Sequence, residues 1–243
     1  RFCCQCRGNP WQAYRNLRIM NAAPFGAYLN FPDVRVLSSS PERFLKVTDG
    51  IVETKPIKGT RPRKFNSVED EAQIKSLSAS EKDRAENLMI VDLLRNDISK
   101  ACKKSSVTVP KLFDVESFAT VHHLVSTIRG DLDDNQHALD LLRSCFPGGS
   151  ITGAPKIRAM EIIEELEGNR RHVYCGSIFY YGIRGDLDSN ICIRTLLFEN
   201  NTVYCWAGGG IVADSEPQAE YEETFHKVKK ILPTIRFVRK KVL

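Results

Sequence analysis

Arg43-Phe-Leu-Lys-Val-Thr-Asp-Gly-Ile-Val-Glu-Thr-Lys55 reads as two β-rich runs joined by Asp49-Gly50. Asp-Gly at such a junction signals a two-residue hairpin, because both turn positions take a positive φ. A tight hairpin pairs its strands antiparallel, which sets the fold class. Extended without interruption, this pairing would put Glu42 opposite Ile57, with Glu42 and Lys58 at the same end of the ribbon. Strict alternation sends their side chains to opposite faces. Pro41 and Pro56 disturb the pairing there, and a bulge would bring the two to one side.

The strand leads into Lys55-Pro-Ile-Lys-Gly-Thr-Arg-Pro-Arg63, with four cations in nine residues. Pro62 keeps Arg61 out of helical geometry, and Gly59 permits a turn directly after Lys58. A charge-rich surface turn would suit this composition. The stiffness suits a site that presents an amine to a small anion, and both readings remain open on this stretch alone.

Upstream, Phe25–Phe31 and Val34–Leu37 are strand-like. Downstream, residues 66–80 suggest a polar surface helix and loop, and Ser80 and Asp83 have capping-box spacing at the start of a strong helix. Leu88, Val91, Leu94 and Ile98 would be its buried stripe. Glu86 lies off that stripe, either on a solvated acidic face or aimed at a metal. Val107–Phe113 and Glu116–Val125 lean to strand, the second carrying His122-His123, and His137–Cys145 reads as a helix. Phe146-Pro-Gly-Gly-Ser-Ile-Thr-Gly-Ala-Pro-Lys156 enters another helix, as either a capped tight loop or an anion site of free N–H groups. It lacks the Gly-Lys-Ser/Thr ending of a Walker loop. Val173–Tyr181 and Asn190–Phe198 are read as strands. An Asn200-Asn201 turn to Thr202–Trp206 would set Arg194 opposite Ala207, at the edge of Gly208-Gly209-Gly210. An Arg fork beside bare backbone can grip a carboxylate. Ser215 is expected to cap the last helix, with Tyr221, Phe225, Val228 and Leu232 buried. Glu223 and Lys227 are four apart, as a helix-stabilising pair or as a metal ligand beside a substrate contact.

Hydrophobic residues make up 42% and charged residues 27% of the 243, ordinary for globular protein. No apolar run is long enough to span a membrane, no signal peptide is evident, and a net charge of +5 without a basic tail argues against nucleic acid. The mild positive excess fits small anions. Of the eight cysteines, Cys3 and Cys6 have Cys-x-x-Cys spacing, and no second such pair accompanies them. Cys3, Cys4 and Cys6 could be a metal or redox cluster, while free thiols in a reducing cytoplasm are the default.

Together, Ser40–Phe44, Pro56–Arg63, Asp83–Asp97, Val121–Leu124, Phe146–Lys156, Ile193–Thr195 and Ala207–Ser215 resemble the chorismate-binding enzymes, within them the aminodeoxychorismate-forming branch of para-aminobenzoate and folate synthesis. The resemblance covers essentially all of residues 1–243 as one catalytic domain, but only the C-terminal half of a typical member. It implies a fragment of a longer chain, with strands missing and edges exposed.

The fold it implies is α+β, with large antiparallel sheets packed face to face and helices outside. Lys58 marks the branch, since anthranilate synthases usually carry alanine there. It would be the nucleophile, its neutral form favoured by Lys55, Arg61 and Arg63. Glu42 would be the general acid and His123 an orienting or electrostatic group. Glu86 and Glu223 would hold Mg2+. Arg194 and Tyr174 would bind the enolpyruvyl carboxylate, with Thr60, Thr152, Gly209, Gly210 and Lys227 completing the substrate contacts. Chorismate and ammonia would give 4-amino-4-deoxychorismate, the ammonia coming from a glutamine amidotransferase subunit. The rival readings are an anthranilate, isochorismate or salicylate synthase, and an inactive binding remnant.

Overall fold

The computed structural model describes residues 1–213 and 215–236, so Asp214 of the glycine-rich motif and residues 237–243 of the expected catalytic domain lie outside the described residues. The first elements are β1 (Phe2–Gln5), α1 (Pro10–Met20), β2 (Phe25–Asn30) and β3 (Val34–Ser40). β4 (Arg43–Thr48), β5 (Ile51–Thr54), β6 (Ile57–Pro62), α2 (Ser67–Ser78) and α3 (Glu81–Ser99) follow. Next are β7 (Thr108–Ser117), β8 (Val121–Asp131), α4 (Ala138–Cys145) and α5 (Lys156–Leu166). The last are β9 (Phe179–Tyr181), β10 (Leu187–Asn190), β11 (Thr195–Glu199), β12 (Thr202–Cys205), α6 (Pro217–Val228) and α7 (Leu232–Arg236). This is the expected α+β class. The chain divides into two compact units, one of Arg1–Glu42, Glu167–Ile178 and the residues from Asn190 on, the other of Arg43–Leu166 and Phe179–Ser189.

The first unit holds a five-stranded antiparallel sheet in the order β1-β12-β11-β3-β2. Its β11–β12 hairpin turns at Asn200-Asn201, both at positive φ, and pairs Glu199 with Thr202 and Leu196 with Cys205. Alternation gives the sheet two apolar faces. Leu37, Leu196, Phe198 and Val203 pack with Ala13 and Leu17 of α1 and Val228 of α6, while Val36 and Leu197 pack with Trp206. Two expected strands are corrected here. Val173–Cys175 is a turn, flanked by positive φ at His172 and Cys175, and only Phe179–Tyr181 is strand. Asn190–Phe198 is interrupted over residues 191–194, and Arg194 has a φ of 51° where no strand continues. In α6 the cap is Glu216 with Pro217 first in the helix, and the Ser215 hydroxyl donates to Glu220 Oε1 instead (2.8 Å). Of the expected stripe only Val228 is buried; Tyr221 and Phe225 are exposed, and Leu232 belongs to the separate α7.

The second unit holds a seven-stranded antiparallel sheet. β7 lines one edge of β8, β5 and β6 run end to end along its other edge, and β4, β10 and β9 continue outward from β5. The Asp49-Gly50 hairpin has the expected register, Lys46 with Glu53 and Thr48 with Ile51. That ladder does not reach Glu42, because Ile57 pairs with Val125 of β8. A bulge does occur beside Lys58, between Ile57 and Thr60, but in the ladder with β8. α3 is capped by Ser80, whose Oγ accepts from the Asp83 N–H (3.3 Å), and packs on β6 and β8. Its buried face is Asn87, Ile90, Val91, Leu94, Asp97 and Ile98; Leu88, expected there, is 44% exposed.

Candidate active site

In the second unit, Lys58 sits in the β6 bulge, followed by Gly59 at φ 81°. A Cβ on Gly59 would lie 2.8 Å from Asp83 Cγ and 2.9 Å from Leu77 Cδ1, so only glycine fits between the bulge and the helices behind it. Three of the four cations here are each tied to a carboxylate on a different element. Lys55 pairs with Glu116 of β7, Arg61 Nη2 donates to Asp83 Oδ2 of α3 (3.1 Å), and Arg63 Nη2 donates to Asp70 Oδ2 of α2 (3.1 Å). Lys58 is half-buried, and its amine has no hydrogen bond or ion pair among the described residues. The electrostatic bias expected from its three neighbours is therefore offset pair by pair.

The two histidines of β8 part ways. His123 pairs with Thr60 across the ladder, its Nδ1 2.9 Å from Thr60 Oγ1. His122 is fully buried between Ser117 (Nδ1, 2.8 Å) and Asp70 (Nε2, 2.9 Å) and serves the packing. Asp70 accepts from the Lys64 N–H, His122 and Arg63, and these hold its carboxyl pKa down at about 2. Glu86 lies one turn along α3 from Asp83, half-buried. Its neighbour Asn87 accepts from Ser126 Oγ, and the buried Asn87 Nδ2 is left without a partner. Thr152 Oγ1 donates to the Gly148 carbonyl (3.0 Å). Lys156, which ends that motif, is spent on structure: its Nζ pairs with buried Asp97 (2.5 Å) and donates to the Cys145 carbonyl (2.9 Å).

In the first unit, Arg194 and Glu42 come together. Burial pulls the Arg194 guanidinium's pKa down, and the Glu42 carboxylate opposes that. The Glu42 N–H donates to Ser40 Oγ (3.2 Å), and its carbonyl accepts from the Ile191 N–H (3.1 Å). The Tyr174 ring stacks on Trp206, and burial pushes its hydroxyl's pKa up. Gly208 passes that hydroxyl closely, since a Cβ there would lie 3.5 Å from it. Gly209 runs against α6, where a Cβ would lie 2.8 Å from Glu220 Oε2 and 3.2 Å from Glu223 Oε1, while nothing comes within 4 Å of one on Gly210. Lys227 pairs with Glu223 (2.5 Å) and donates to the Gly208 carbonyl (2.8 Å).

The family model described as chorismate binding enzyme matches residues 1–233. The chain belongs to the chorismate binding enzymes. It is 56% identical over 232 residues to aminodeoxychorismate synthase component 1 of Klebsiella aerogenes, covering 96% of this chain and 51% of that one. It is 44% identical over 235 residues to anthranilate synthase component 1 of Aquifex aeolicus, covering 97% of this chain and 48% of that one. The solved anthranilate synthase component I of Streptococcus pneumoniae superposes with a TM-score of 0.86 at 42% identity, over 95% of this chain and 51% of that one. The chain thus spans about half the length of these relatives.

Within this chorismate binding enzyme, the residues at Gly209 fit a hard divalent cation. Glu220 Oε2 is buried without a hydrogen-bond partner, Glu223 lies beside it, and the glycine leaves room that a side chain would fill. One or two carboxylates, with water and substrate oxygens, are the usual protein share of a Mg2+ shell. Glu220 is the site residue that sequence reading missed, although its three-residue spacing from Glu223 put both on one helix face. No group of three or more potential metal ligands occurs among the described residues. All eight cysteines are free, and among the described residues no helix is long and apolar enough to cross a membrane.

Proposed function

We propose that this chain is the chorismate-aminating component of an aminodeoxychorismate synthase, acting in para-aminobenzoate and folate synthesis in the cytoplasm. The observation that carries the reading is the Lys58 amine, left unpaired in the β6 bulge while the other three cations of Lys55–Arg63 are each in an ion pair. An amine without a carboxylate partner can act as a nucleophile. The relatives named component 1 support an enzyme of two components, with ammonia supplied by a glutamine amidotransferase subunit.

Arg194, with Tyr174, would receive the enolpyruvyl carboxylate of chorismate. Binding there would draw the guanidinium away from Glu42, so that Glu42 can carry the proton a general acid needs. Lys58 would attack ring carbon C2 while the ring double bonds shift and the C4 hydroxyl leaves as water with the proton from Glu42. Ammonia would add at C4, the shift would reverse, and Lys58 would depart from C2. His123 with Thr60 would orient the ring, and Thr152, Gly209, Gly210 and Lys227 would add polar contacts. Glu223 and Glu86 would be carboxylate ligands for Mg2+, with Glu220 beside Glu223; the ion, when bound, would neutralise the ring carboxylate.

The test is product analysis by mass spectrometry of the chain with chorismate, Mg2+ and an ammonium salt, beside Lys58→Ala. Aminodeoxychorismate from the wild type, with a Lys58 adduct absent from the variant, is expected. Anthranilate, isochorismate or salicylate from the wild type would move the chain to a sister activity.

A further inference from the structure

We propose that Asp83 is a positioning residue for Lys58: through its ion pair with Arg61 and its contact with Gly59, it holds the β6 bulge in the shape that leaves the lysine amine unpaired. The proposal rests on the reading of Lys58 as nucleophile. A bulge leaves one residue outside the ladder, so ladder hydrogen bonds alone do not fix its shape. Something behind it must, and Asp83 has the contacts to do so. Its Cγ would lie 2.8 Å from a Cβ on Gly59, and its Oδ2 accepts from Arg61 Nη2 at 3.1 Å.

Asp83 is itself anchored, because its N–H donates to the Ser80 cap. The pair is mostly shielded, with Arg61 30% and Asp83 18% exposed, so solvent competes with it only in part. Glu86 follows Asp83 by three residues on the same face of α3. One helical turn would therefore register the nucleophile's strand against a proposed metal ligand.

The experiment makes Asp83→Asn, Asp83→Glu, Arg61→Gln and the Asp83→Asn/Arg61→Gln double variant in the full chain. It reads kcat and KM for chorismate, and amide hydrogen exchange across residues 57–61. Asp83→Asn and Arg61→Gln are each expected to lower kcat about ten- to a hundredfold, the scale for a misplaced reacting group. KM should hold within about twofold. The double variant should be no worse than the poorer single, Asp83→Glu should recover part of kcat, and exchange at Lys58 and Gly59 should rise in the impaired variants. Losses that multiply in the double variant, wild-type kcat in both singles, or unchanged exchange would overturn the proposal. If the wild type makes no aminodeoxychorismate, the aminodeoxychorismate reading falls and exchange alone decides the clamp: faster exchange supports it, unchanged exchange overturns it.

Discussion

Asp70 is the residue whose protonation the fold most plainly exploits. The Lys64 N–H, His122 and Arg63 hold its carboxyl pKa at about 2, against 3.8 for an unperturbed aspartate. A carboxyl depressed on folding stabilises the native state above its unfolded pKa, and that contribution is lost as pH falls through the folded value. The window therefore runs from 3.8 down to about 2. Asp70→Asn should be less stable than wild type at neutral pH, and the difference should close across that window. Denaturant midpoints of both proteins over a pH series measure it, and an equal difference at both ends would remove Asp70 as the cause. Glu42 makes a catalytic prediction at the same scale. Glu42→Gln keeps the shape near Arg194 but cannot deliver a proton, so kcat should fall by about 10²–10⁴. Wild-type turnover would exclude Glu42 as the acid.

At the level of elements, what could be read was whatever a local rule sets. Both hairpins have the register that two-residue turns impose, at Asp49-Gly50 and Asn200-Asn201. What could not be read depended on partners distant in sequence. Val173–Tyr181 looked like one strand because its residue types favour strands, yet His172 and Cys175 take positive φ and turn the chain there. On α3 an apolar-only stripe selected Leu88 and passed over Asn87 and Asp97, which are buried with Ser126 donating to the Asn87 carbonyl oxygen and Lys156 paired to Asp97. The site divides the same way. Lys58, Glu42 and Arg194 stood out by motif, while the orphaned oxygen of Glu220 needed coordinates. Gly59 tests the bulge as an element. Alanine there must hold φ 81° and place a Cβ 2.8 Å from Asp83 Cγ. The left-handed conformation alone costs roughly 1–2 kcal/mol. Gly59→Ala should therefore lower the chemical unfolding midpoint and slow turnover together. Lost activity at an unchanged midpoint would mean the glycine serves substrate access and not backbone geometry.

Across the whole molecule, apolar surface is left uncovered on one helix. The sequence anticipated exposed edges, and α5 has no buried residue at all. Ile157 is 77%, Met160 42% and Leu166 75% exposed, next to Glu161, Glu164 and Glu165. Exposed apolar area is a drive to associate, at about 25 cal/mol per Å² removed from water. The chain should therefore self-associate as its concentration rises. Ile157→Lys with Leu166→Lys should suppress that association. Because both side chains face solvent, the unfolding free energy should change by no more than about 0.5 kcal/mol for each substitution. Sedimentation across a concentration series, paired with denaturant unfolding, separates the two effects. A monomeric variant of unchanged stability is the expected result. A large loss of stability would mean that these side chains are packed against something in solution, and unchanged association would put the sticky surface elsewhere, with exposed Phe179, Tyr180 and Ile183 on and beside the β9 edge the next to test.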